Sequence, residues 1–70
     1  MTRQRVSSSS IRSVGYDAEN RILEIELRGG GVYQYFQVPE SEYKAFVKAA
    51  SIGRHYAKTI KPAYEFRRVK

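Results

Sequence analysis

Apolar residues in the middle of the chain recur at every second position. Leu23, Ile25 and Leu27 alternate with Glu24 and Glu26, the pattern of a strand with one buried face. After Gly29-Gly30-Gly31, the run Val32-Tyr-Gln-Tyr-Phe-Gln-Val38 alternates again through Tyr33 and Tyr35. Two such runs parted by glycines that tolerate positive φ predict a hairpin over residues 21–38. Its second half carries a conflict: Val32, Phe36 and Val38 fall out of phase with the tyrosines. Either both faces are covered or a bulge near Phe36 and Gln37 shifts the register.

Upstream, Ser10 to Tyr16 is β-branched and aromatic enough for a short strand, and Asp17-Ala-Glu-Asn20 is a turn. Residues 1–9 are polar and serine-rich, with only Val6 to pack, and read as a flexible tail. Downstream, Tyr43, Phe46, Val47 and Ala50 recur at i, i+3, i+4 and i+7, predicting a helix from about Pro39 to Ala50 that lies on the sheet. Ser51 caps a second helix on which Ile52, Tyr56 and Ile60 share one side, ending by Pro62. Tyr64 to Val69 alternates once more, as a last strand or an extended tail. The expected architecture is α+β: a small antiparallel β-meander with two helices and a short C-terminal strand, one domain over residues 10–70.

Charge adds a second layer. The net +6 is uneven: up to Glu42 five basic residues face six acids, whereas from Tyr43 onward eight face Glu65 alone. Such asymmetry points to a polyanionic partner, although net charge also serves solubility. Arg54, Lys58 and Lys61 form a helical row that Arg67 and Arg68 would extend into one phosphate-binding patch if the last segment folded back beside it. His55 would lie within that patch. Tyr33, Tyr35 and Phe36 are the candidate rings for base stacking, the alternative being that the tyrosines pack in the core and Phe36 faces outward.

Enzyme chemistry finds no constellation. His55 lacks a neighbouring nucleophile, the serine run has no Gly-x-Ser-x-Gly setting, and Glu24 with Glu26 has no His or Cys to complete a metal site. No catalytic residue, metal ligand or cofactor is therefore assigned. The absence of cysteine and of a long apolar run predicts a soluble cytoplasmic protein without membrane contact.

The order Ser-Ser-x-Ile, Val-Gly-Tyr, Leu-x-Ile-x-Leu, Gly-Gly-x-Tyr-x-Tyr, Val-Pro, Ala-x-Ser-x-Gly and Tyr-x-Phe-Arg resembles the KTSC domain, from about Val6 to Val69. That family takes its name from the C-terminus of some lysyl-tRNA synthetases and also occurs as single-domain bacterial proteins. Its central Tyr-x-Tyr corresponds to Tyr33 and Tyr35. The resemblance implies an RNA-binding role, tRNA included, in agreement with the charge. A protein-interaction module, using an aromatic surface or an exposed sheet edge and including weak self-association, is the alternative.

Overall fold

The predicted hairpin forms the centre of a five-stranded antiparallel sheet in a computed structural model that describes residues 1–70. Its strands are β1 (Arg3–Arg5), β2 (Ile11–Asp17), β3 (Ile22–Leu27), β4 (Val32–Tyr35) and β5 (Phe66–Arg68), in spatial order β1-β2-β3-β4-β5. Between β4 and β5 come α1 (Glu40–Val47) and α2 (Ile52–His55), the latter continuing as a π-helical turn, Tyr56–Ile60. No helix is long and apolar enough to cross a membrane.

The register sorts the side chains into two faces. Tyr16, Leu23, Tyr35 and Phe66 are paired in succession across four strands, as are Val14, Ile25, Tyr33 and Arg68. Helices cover this side: Phe46, Tyr56 and Ile60 join Ile11, Val14, Leu23, Ile25, Tyr35 and Val38 in one core. Full burial of an aliphatic or aromatic side chain contributes about 1.5–3 kcal/mol, which matters in a domain this small. Tyr35 is 1% exposed, and its hydroxyl bonds that of Tyr56 at 2.6 Å. At the rim Tyr16 stacks on Tyr43 with centroids 4.6 Å apart, while its hydroxyl donates to the Val38 carbonyl. Burial, followed by the nearby Glu40 carboxylate, raises the Tyr16 pKa.

The phase conflict in the second hairpin strand is resolved by a kink. Gln37 adopts a left-handed φ of 58°, so Tyr35 and Val38 both point into the core although they lie three residues apart. Arg21, at φ 57°, makes the matching bend, and its carbonyl accepts the Val38 amide at 3.0 Å. The β2–β3 turn is held by Asp17, whose carboxylate accepts from the Asn20 side chain and from the amides of Glu19 and Asn20. The Asn20 bonds, side chain first, lower the Asp17 pKa.

Three features differ from the sequence reading. The N-terminal segment is not wholly a tail, because Arg3–Arg5 pair with Ser13–Gly15 as an edge strand. Gly15 permits that approach, since a Cβ there would stand 2.8 Å from the Thr2 carbonyl oxygen. Helix α1 is shorter than Pro39–Ala50, and Pro39 serves as its N-cap with extended backbone. The second helix is not uniformly α. The wider π turn changes the angular drift of the four-residue spacing, and Tyr56 and Ile60 both reach the core.

Candidate nucleic-acid interface

The sheet face away from the helices is mostly polar, with Ser13, Gly15 and Val32 buried between charged side chains. Cross-strand register sets Arg3, Gly15, Glu24, Gln34 and Arg67 in one row, and Arg5, Ser13, Glu26 and Val32 in the next. Arg3 pairs with Glu24 at 3.0 Å, Gln34 donates to the other Glu24 oxygen at 2.9 Å, and the Ser13 hydroxyl donates to Glu26 at 2.8 Å. A register shift between Ile11 and Ser13 adds Arg12, which lines a shallow depression with Arg3, Arg5, Ser13 and Glu26. Arg5, Arg12 and Arg67 are exposed and have no acidic partner. The group of Arg3, Arg5 and Arg12 escaped the sequence reading because it needs β1 beside β2, and Arg67 stands apart from it on β5, at the opposite edge of the sheet. The only signal was Arg-x-Arg at Arg3 and Arg5, read as part of a tail.

The predicted C-terminal patch is divided. Arg54, Lys58 and Lys61 are exposed on the helical layer without acidic partners. Arg67 and Arg68 do not extend that row, because β5 pairs with β4 and sends successive side chains to opposite faces. Arg67 joins the open face. The Arg68 guanidinium carbon instead lies 5.8 Å from the Tyr33 ring centroid, on the helix-covered side. His55 is engaged elsewhere: its Nε2 lies 2.9 Å from Glu42, tying α2 to α1. Glu42 also accepts from the Tyr64 hydroxyl at 3.4 Å. Burial first and Glu42 second raise the Tyr64 pKa.

The aromatic candidates separate as well. Tyr35 cannot stack on a base from the core. Tyr33 is half-buried, with Phe66 at 5.8 Å on one side and Arg68 near its face. Phe36 is half-buried just past β4 and lines a cleft with Gln37, Ala63, Tyr64 and Glu65. Phe66 is 52% exposed and was missed, although it alternates with Tyr64 on a predicted last strand. No three His, Cys, Asp or Glu side chains gather as a metal cluster.

The same strand order and junctions define a known domain. A family model described as the KTSC domain matches residues 7–64. This chain belongs to the KTSC domain family. A crystal structure of a KTSC domain protein from Yersinia pestis is similar with a TM-score of 0.96 and 46% identity, covering 99% of this chain and 97% of that one. An uncharacterised protein of Stutzerimonas stutzeri is 44% identical over 64 residues, 91% of this chain and 90% of the relative. A lysine–tRNA ligase of Nostoc punctiforme is 38% identical over 58 residues, which are 83% of this chain and 10% of the ligase.

Proposed function

We propose that this KTSC domain is a non-catalytic cytoplasmic module that binds RNA through phosphate contacts on the open face of its sheet. One observation carries the reading: of the 13 lysines and arginines, only Arg3 and Lys44 have an acidic partner within 4.0 Å. A cation without an acidic partner is free to neutralise a phosphate and so release the cations condensed on the nucleic acid. Arg5 and Arg12 make the main contact, Arg67 adds one at the far edge of the same face, and Arg54, Lys58 and Lys61 form a second basic strip. The kinship to a segment of a lysine–tRNA ligase supports an RNA partner, tRNA included.

Short arginine-bearing strands at both sheet edges also guard against edge-to-edge pairing. A docking role is favoured by a different observation, the exposure of Phe66 on β5 and of Val69 just beyond it. Charge reversal distinguishes the two. Arg5→Glu/Arg12→Glu is expected to abolish RNA retention in a filter-binding assay, and Arg54→Glu/Lys58→Glu to weaken it less. Undiminished affinity in both folded double mutants would overturn the RNA reading. Capture of a partner by the wild type that Phe66→Ser abolishes would then support docking.

A further inference from the structure

We infer that the cleft between the end of β4 and the start of β5 takes one unpaired guanine base, a deepening that rests on the RNA reading. The cleft has a volume of about 370 Å³ and is lined by Phe36, Gln37, Ala63, Tyr64 and Glu65. That volume falls in the range of small-ligand sites. Its lining combines two half-buried aromatic rings, a side-chain amide and a carboxylate, the groups that read a base by its face and its edge.

One observation favours a base over a phosphate. Glu65 is the only acid after Glu42, and it has no cation within 4.0 Å despite the eight lysines and arginines of that segment. A free carboxylate repels phosphate but accepts paired N–H donors, and guanine presents two adjacent ones, N1–H and the N2 amine. Gln37 shapes the cleft. Its left-handed backbone is uncommon outside glycine and turns the chain at the lip of the cleft, between exposed Gln37 and buried Val38. The Phe36 backbone N–H donates a hydrogen bond to the Glu65 carbonyl at 2.9 Å, which fixes the spacing of the two walls.

In this arrangement the base lies against Phe36 and Tyr64. The Glu65 carboxylate accepts from N1–H and N2–H, and the Gln37 amide donates to O6. Adenine offers no donor at N1, and inosine keeps N1–H but lacks the amine, so affinity should fall in the order guanine, hypoxanthine, adenine.

The test uses the full chain, ¹⁵N-labelled, titrated with GMP, IMP, AMP and inorganic polyphosphate and followed by two-dimensional NMR. GMP is expected to shift the amides of Phe36, Gln37, Ala63, Tyr64 and Glu65, whereas polyphosphate should move the arginine-bearing strands instead. Glu65→Gln should weaken GMP by about tenfold and leave AMP unchanged. Gln37→Gly, which suits the left-handed backbone and leaves folding intact, should also weaken GMP. RNA retention with no GMP shifts in the cleft, or GMP binding indifferent to Glu65→Gln, would overturn the base site and leave the phosphate reading standing. GMP seated in the cleft without RNA retention would uphold the site and overturn the polymer as its source.

Discussion

The hydroxyls of Tyr35 and Tyr56 meet at 2.6 Å inside the core, their rings edge-to-face with centroids 5.7 Å apart. One hydroxyl donates and the other accepts. Tyr35→Phe should therefore cost about 1–2 kcal/mol, because it leaves the Tyr56 hydroxyl buried alone, and the double change to phenylalanine should cost less than the two single changes summed. Thermal unfolding of the four proteins checks this, with full additivity as the contrary result.

The same pair sets an alkaline limit. Burial, reinforced by the bond to Tyr56, raises the Tyr35 pKa far above the usual 10.0, and burial raises Tyr16 and Tyr64 in the same direction. A folded-state pKa above the unfolded one means that the native form holds the proton longer. Its stabilisation is complete below the unfolded value and declines as pH rises from there through the folded value. Melting temperature should thus fall above about pH 10, less steeply in Tyr35→Phe. Parallel pH profiles for the two proteins would contradict the assignment.

Gly53 packs against the β1–β2 loop so closely that an added Cβ would lie 2.6 Å from the Ser10 hydroxyl oxygen. Gly53→Ala should destabilise the domain by about 1 kcal/mol through that overlap, although alanine is the better helix former. Ser10→Ala should relieve the clash, so the double mutant should be more stable than Gly53→Ala. Denaturant midpoints measure the coupling, and simple addition would show that the loop gives way freely.

The salt dependence of RNA affinity counts phosphates. Replacing Arg5 and Arg12 by glutamine should reduce the slope of log K against log salt by about 1.4, at roughly 0.7 per contact on single strands. An unchanged slope would place the contact elsewhere.

Much of this architecture was legible because alternation marks β3 and β4 directly, and the stripe of Tyr43, Phe46 and Val47 marks α1. Alternation also placed Tyr33 and Tyr35 on a shared face, but nothing local states which face the helices will cover. That depends on where Phe46, Tyr56 and Ile60 return, so the burial of Tyr35 had to come from the fold. β1 was hidden because an edge strand of Arg-Gln-Arg buries little and carries no apolar signature. The split of Arg67 from Arg68 follows from strand parity alone. What parity lacked was the partner strand that made one side open and the other closed.

The strictly sequential strand order has a kinetic side. β2, β3 and β4 are joined by short turns and can zip together with little loop-closure entropy, whereas β5 must wait for the helical excursion of residues 36–65 to return. With three residues and every side chain exposed, β5 should be the first strand to detach and the last to dock. Amide exchange along Phe66–Arg68 should then outpace that of β3 by orders of magnitude. Whatever grips this margin would act as a clamp on the least secured strand, quenching its fraying while the centre of the sheet stays unchanged.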